Sequence, residues 1–279
     1  MTENIVLYNA STGGTFDSID EFIRFYNQCY YISTSCWVET EIEHLLQKDK
    51  KSAQDFFNIF AWKTGKINHH KSEESKGFCY TLSKDREDKA EWYFNPGKRE
   101  AIAITRSGVI AKDKDGKLDP HKLYEYLEYL TRINNSEKRA PDILKELMGQ
   151  DDIVVPNGIG TVYLITFLYF ITKGYEPIYD VFAMAALDAI YPDNSEESKS
   201  LGSYIHPRNL PDKNTNSYEK LLNGNKSVYK IYKNKLFNRF VTEYINELGE
   251  NIKPEEKYSS CRDIDRALWV YGHMFRNTK

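Results

Sequence analysis

Cysteine is scarce in this chain, with four in 279 residues, at positions 29, 36, 79 and 261. No two of them stand at the spacing of a paired metal site, and they are too few for a disulfide-built scaffold, so reduced thiols are expected. Long apolar runs are missing as well. The most apolar stretch, Thr161 to Thr172, falls short of the ~20 residues that a membrane-spanning helix needs and reads as a buried helix. Met1-Thr2-Glu3-Asn4 has neither the basic start nor the apolar run of a signal peptide, so the chain is expected to stay in the cytoplasm, away from membranes. Nor is there an excess of positive charge. Lys and Arg number 38 against 41 Asp and Glu, a formal net charge of −3, so binding to nucleic acid would need a local basic face.

What is present suits an ordinary globular chain. With 41% hydrophobic and 28% charged residues, it can bury one large core or two small lobes. Asp17-Ser18-Ile19-Asp20-Glu21 predicts a helix start with acid in its first turn, and Phe22, Ile23, Phe25 and Tyr26 fall on one face of that helix. Val38 to Leu46 predicts a second helix with Ile42, Leu45 and Leu46 as its stripe, followed by a solvated basic patch from Lys48 to Lys51. Ser52 would cap a third, running from Phe56 through Trp62 and Lys63 to a stop at Gly65. His69 and His70 follow without a Cys or acid to complete a ligand set and read as surface residues.

From Lys71 to Gly116 the chain is rich in charged turns, with short strands predicted at 77–82 and 101–104 around the turn Asn95-Pro96-Gly97. This is read as an insertion that adds at most a small β-hairpin. Leu118-Asp119-Pro120 opens a helix in which Leu123, Tyr124, Tyr126, Leu127 and Leu130 pack inward, ended by Asn134-Asn135-Ser136. Pro141 starts a short one with Ile143, Leu144, Leu147 and Met148 as its stripe.

The stretch around which the chain reads as organised is Val155-Pro156-Asn157-Gly158-Ile159-Gly160-Thr161 and the helix this opens. Two glycines one residue apart allow a tight hairpin. The helix closes at Lys173-Gly174, Pro177 enforces an extended approach, and Asp180 stands as N-cap of the next helix, Val181 to Leu187. In order and spacing this stretch resembles the helix-hairpin-helix DNA glycosylase superfamily, where a Gly-hydrophobic-Gly hairpin leads a buried helix and a catalytic Asp caps the following one. The bifunctional members carry a Schiff-base lysine two residues past the second glycine; here that residue is Val162. Asn157 also separates Pro156 from Gly158, where the usual order puts proline directly before glycine, so the turn differs from the family pattern.

The resemblance implies an all-α, two-lobed fold in which 118–192 form the central lobe and 1–117 pack with 193–279 as the other. It further implies a monofunctional DNA glycosylase acting on double-stranded DNA. Such an enzyme flips out and excises a damaged or modified base and leaves an abasic site, with Asp180 as the catalytic carboxylate. Gly158, Gly160 and Thr161 would offer backbone N–H groups to a phosphate. Some relatives hold an iron–sulfur cluster on four closely spaced C-terminal cysteines, but Cys261 is the only cysteine after position 79, so no cluster and no other cofactor is expected.

Trp62 and Lys63 lie in the region that faces the extruded base in that family. Trp62 could stack on a base or simply fill core, and Lys63 could contact phosphate or a base carbonyl or lie in solvent. Thr166, one turn beyond Val162, would look into the cleft. Lys226 to Phe240 is the most basic segment, and its Lys230 and Lys233 are candidates for DNA backbone contact; a helix with an aromatic stripe and a lysine-rich solvent side has the same pattern. On the last helix, Asp265 and Trp269 resemble the pair with which relatives specific for oxidised guanine read the flipped base, though Asp265 could equally pair with Arg262 or Arg266. The branch resembled is the 8-oxoguanine-glycosylase-like one, whose bacterial members include anti-phage proteins, so the base is an oxidised purine or a hypermodified, for example glucosylated, cytosine. Two other classes remain open: a non-catalytic hairpin protein that binds DNA, and a helical interaction protein that does not.

Overall fold

Apolar stripes at helical spacing, broken by capping residues and glycines, recur through the chain. In a computed structural model of the protein they give a mostly helical fold with one small sheet. The structure describes residues 5, 7–33, 36–64, 92–105, 108–110, 117, 119–136, 138, 140–147, 153, 155–156, 158–191, 229, 231–249 and 254–276. The elements are α1 (Ile19–Ser33), α2 (Cys36–Gln47), α3 (Ala53–Lys63), β1 (Tyr93–Asn95), β2 (Glu100–Thr105), β3 (Gly108–Ile110), α4 (Pro120–Asn134) and α5 (Ala140–Leu147). They continue with α6 (Thr161–Ile171), α7 (Val181–Ile190), a π-helical run (Ile231–Phe237), α8 (Asn238–Leu248) and α9 (Pro254–Arg276).

The chain divides into two compact units, Ser35–Glu176 and, joining both ends, Met1–Thr34 with Pro177–Lys279. This division differs from the lobes expected at 118–192 and at 1–117 with 193–279. The helices α2 and α3 and the sheet belong with α4 to α6, and α7 belongs with the chain ends because it packs along α9.

In the middle unit α6 is apolar on every side, and it packs against α2, α3, α4 and α5, as a helix without a polar face must. Aromatic pairs carry the contact with α3: Phe60 meets Tyr163 edge-on at 4.7 Å between ring centres and Phe56 meets Phe167 at 5.9 Å. Ser52 and Asp55 form the capping box of α3, Ser52 N donating to Asp55 Oδ2 at 2.7 Å and Asp55 N to Ser52 Oγ at 3.3 Å. Asp119 caps α4 by accepting from His121 N, with Pro120 in the first turn. The strands form an antiparallel meander in the order β1-β2-β3, pairing Tyr93 with Ile102 and Ala103 with Ile110. Its inner face presents the small residues Ala101 and Ala103 beside α4, so β2 can lie close to that helix. The sheet is thus three-stranded among the described residues, larger than the hairpin expected; the strand expected at 77–82, like His69 and His70, lies outside them.

One expectation fails here outright. Lys51 was expected to be solvated with its neighbours, yet it is 1% exposed, its ammonium donating to the carbonyls of Lys48 at 2.6 Å and Leu46 at 3.5 Å just past the last turn of α2. A lysine folded inward over free helix-end carbonyls satisfies them and interacts favourably with the helix dipole. Burial pushes that ammonium down to about 8, with repulsion from Lys173 next in weight.

In the unit of the chain ends, α9 is the spine against which both α1 and α7 pack. Phe22 and Tyr26 of α1 meet Tyr271 at 5.0 and 5.2 Å. Gly272 lets α7 approach so closely that a Cβ there would lie 1.8 Å from the Phe182 carbonyl oxygen. The start of α1 is capped from far away: the Glu247 carboxylate of α8 accepts from Ile19 N at 2.7 Å and Asp20 N at 3.0 Å. The basic segment folds as an aromatic core stripe. Tyr229, Tyr232, Leu236, Phe237 and Phe240 are buried, Lys233 is half-buried and Lys235 exposed, while Lys226 and Lys230 lie outside the described residues.

Candidate active site around Asp180

The hairpin leading α6 belongs to the middle unit. Ile159 N donates to Pro156 O at 3.2 Å, closing a turn in which Gly158 takes φ +94°, a conformation that favours glycine. Asn157 lies outside the described residues. Gly160 is the N-cap of α6 and, having no side chain, leaves the first-turn N–H groups of Thr161 and its successors without a side-chain cap. Such an end attracts an anion through those N–H groups and the helix dipole. Thr166 is 1% exposed and its hydroxyl donates to Val162 O at 2.8 Å, so it is packed against its own helix. Trp62, at the end of α3, is half-buried; its Nε1 donates to the buried Glu39 at 3.4 Å and its ring meets Phe170 of α6 at 5.8 Å. Lys63 beside it is half-buried.

The other site residues with described positions belong to the unit of the chain ends. Asp180 is the N-cap of α7 in an extended conformation, φ −139° and ψ 145°, its Oδ1 accepting from Phe182 N at 2.9 Å. That bond satisfies one of the open N–H groups of the first turn of α7 and fixes the direction of the carboxylate. The segment before it is fixed from the side. Tyr229 donates to Pro177 O and Tyr232 to Ile178 O, each at 3.0 Å and each buried.

Asp265 and Trp269 lie on α9, which packs against α7. Asp265 is 4% exposed. Burial pushes the Tyr232 hydroxyl well above its usual range, and the charges of Asp265 and, less strongly, Asp180 act in the same direction. Asp265 is buried and Asp180 half-buried. Arg262 and Arg266 bury their guanidinium groups 6.0 and 5.8 Å from the ring centre of Tyr30, and Arg266 pairs with Asp263 at 3.2 Å. Trp269 is half-buried within an aromatic layer: Tyr30 lies edge-on at 5.5 Å, Phe182 at 5.9 Å and His273 at 4.0 Å. His273 stacks on Phe182 with ring centres 3.4 Å apart and planes at 16°. Its Nδ1 lies 2.7 Å from Trp269 O; a carbonyl can only accept, so Nδ1 carries a proton.

Asp180, before α7, and Asp265 and Trp269, on α9, thus belong to one unit, whereas Gly158, Gly160, Thr161, Thr166, Trp62 and Lys63 belong to the other. Lys233 stands on the π-helical run, and Lys230 is outside the described residues. Sequence reasoning missed Tyr229, Tyr232 and His273. Their signal was a helical stripe and an i, i+4 step from Trp269, which places a residue on a face but does not name its partner. Among the described residues there is no group of three or more His, Cys, Asp or Glu that could hold a metal ion, and no helix long and apolar enough to cross a membrane. Comparison with protein-family models, with curated proteins and with solved structures finds no match.

Proposed function

We propose that the protein is a monofunctional DNA glycosylase of helix-hairpin-helix type. The observation that carries this reading is Asp180: it caps α7 with one carboxylate oxygen, follows the hairpin helix α6, and stands where that family keeps its catalytic carboxylate. Loss of a base from its sugar builds positive charge on the ring, and a fixed carboxylate stabilises that cation and can orient the attacking water. The hairpin N–H groups at Gly158, Gly160 and Thr161 would take a DNA phosphate; Lys230 and Lys233 are separate candidates for backbone contact. Asp265 and Trp269 would read the flipped base, an oxidised purine or a hypermodified cytosine; Trp62 and Lys63 are the middle unit's own candidates for contact with a base or phosphate. With Val162 in the Schiff-base position, the product is an abasic site in an unbroken strand.

The test is incubation with modified and unmodified duplexes, including glucosylated phage DNA and DNA containing 8-oxoguanine, followed by mass detection of released base. Release is expected from at least one substrate, with strand breakage only after alkali or heat. Duplex binding with a steep salt dependence but no release would instead identify a non-catalytic hairpin protein, and absence of both would leave a helical interaction protein.

A further inference from the structure

We propose that Tyr229 and Tyr232 are positioning residues that hold the backbone before Asp180 and so aim its carboxylate, an inference that rests on Asp180 being the catalytic group. The segment from Pro177 to Asp180 is neither helix nor strand, so its course is not fixed by a backbone ladder. Two successive carbonyls, Pro177 O and Ile178 O, are instead taken by two buried hydroxyls at 3.0 Å each. Tyr179, itself 1% exposed, packs edge-on against Tyr232 at 5.1 Å between ring centres. Asp180 follows at once in an extended conformation, and its side-chain direction is inherited from the backbone so held. Phe182 N then takes one of its oxygens at 2.9 Å.

The clamp is built from an uncommon element. Tyr232 lies in the π-helical run Ile231–Phe237, and π turns are rare and recur at functional sites. Tyr232 is 0% and Tyr229 4% exposed, so water does not compete for either bond. Burial pushes the ionisation of the Tyr232 hydroxyl well up, so at neutral pH it keeps the proton it donates to Ile178 O. The aspartate is therefore placed by groups that never meet substrate.

The experiment uses the full chain with Tyr229→Phe, Tyr232→Phe and the double substitution, which remove only the hydroxyls. Tyr191→Phe is the control, because it removes another buried tyrosine hydroxyl of the same unit, bonded to Glu243. Two readouts are taken: single-turnover base release with duplex affinity, and deuterium exchange at the Phe182 amide. The double variant is expected to release base about 10- to 100-fold more slowly at unchanged duplex affinity, the usual cost of a small misplacement. It should also exchange the Phe182 amide faster, with each single variant in between and Tyr191→Phe like wild type in both. If the double variant does not fold, the single variants carry the same comparison. Unchanged Phe182 exchange, or equal losses in Tyr191→Phe, would overturn the clamp. The exchange readout needs no activity, so it judges the clamp even if Asp180→Asn shows that the glycosylase reading fails.

Discussion

The caps of α3 and α4 in the middle unit, and the cap of α1 and the brace before α7 in the unit of the chain ends, draw their partners from very different distances along the chain. In the middle unit Ser52 and Asp55 cap α3, Asp119 caps α4, and Thr172 Oγ1 accepts from Glu176 N, all within a few residues. In the other unit the cap of α1 comes from Glu247, separated by 228 residues from Ile19, and Tyr244 reaches back to Asp20 across 224. The segment before Asp180 is held from Tyr229 and Tyr232, 52 and 54 residues on. The candidate carboxylate therefore sits in the half of the molecule that depends on distant chain being in place, where loop closure must precede any gain from the contacts.

The largest expected effect is at the α7–α9 seam. Gly272→Ala would place a methyl group 1.8 Å from the Phe182 carbonyl oxygen, and because backbone rather than a flexible side chain is in the way, the helices must part. A loss of about 3 kcal/mol is expected in urea unfolding; a loss below ~1 kcal/mol would mean that the seam yields easily. Next comes the distant cap. Glu247→Ala removes the acceptor of two N–H groups at the start of α1 and should cost about 1–2 kcal/mol, against about 1 kcal/mol for Ser52→Ala at the local cap of α3. If Glu247→Ala leaves the urea midpoint unchanged while Ser52→Ala lowers it, the contrast between local and distant capping is wrong.

A third effect is read in pH. Lys51 is held down to about 8 in the folded chain, below its ordinary value of 10.5, so between these values the unfolded chain binds more protons. Its cost to stability is fully present below pH 8 and is relieved as pH rises toward 10.5, a gain on the order of 1–3 kcal/mol. The chain-end unit responds the other way. Tyr26 and Tyr244, pushed up to about 12 by burial first of all, stabilise fully below pH 10 and lose that contribution as pH climbs through 12. Stability measured from pH 8 to 12 should therefore rise and then fall, and Lys51→Met should flatten the rise only. A monotonic fall from pH 8 in the wild type would contradict the assignment to Lys51.

The same contrast decides what could be read from the residues alone. Ser52, Asp119 and Asp180 as caps, the stop at Lys173-Gly174 with φ 51° and 83°, and the all-apolar α6 were legible because each depends on neighbours within a turn. The burial of Lys51 was not, since a run of four residues with three lysines looks solvated until one of them is found folded over α2. Nor was the division of the chain, because the apolar pattern of α7 does not name α9 as its partner, and the close approach at Gly272 depends on a residue about 90 positions further along. At the candidate site, Asp180, Asp265 and Trp269 were singled out by their resemblance to residues of the helix-hairpin-helix glycosylases. Tyr229 and Tyr232 could not, because a tyrosine in an aromatic stripe says nothing about which carbonyl its hydroxyl will meet.

The central claim is that the charge of Asp180 drives base release, and Asp180→Asn tests it most directly. Asparagine keeps the shape and the N-cap bond to Phe182 N but carries no charge, so folding and duplex binding should match wild type. Release of the modified base should fall to background, with no borohydride-trapped adduct in wild type or variant, because Val162 occupies the position of a Schiff-base lysine. Full base release by a folded Asp180→Asn protein would contradict the account.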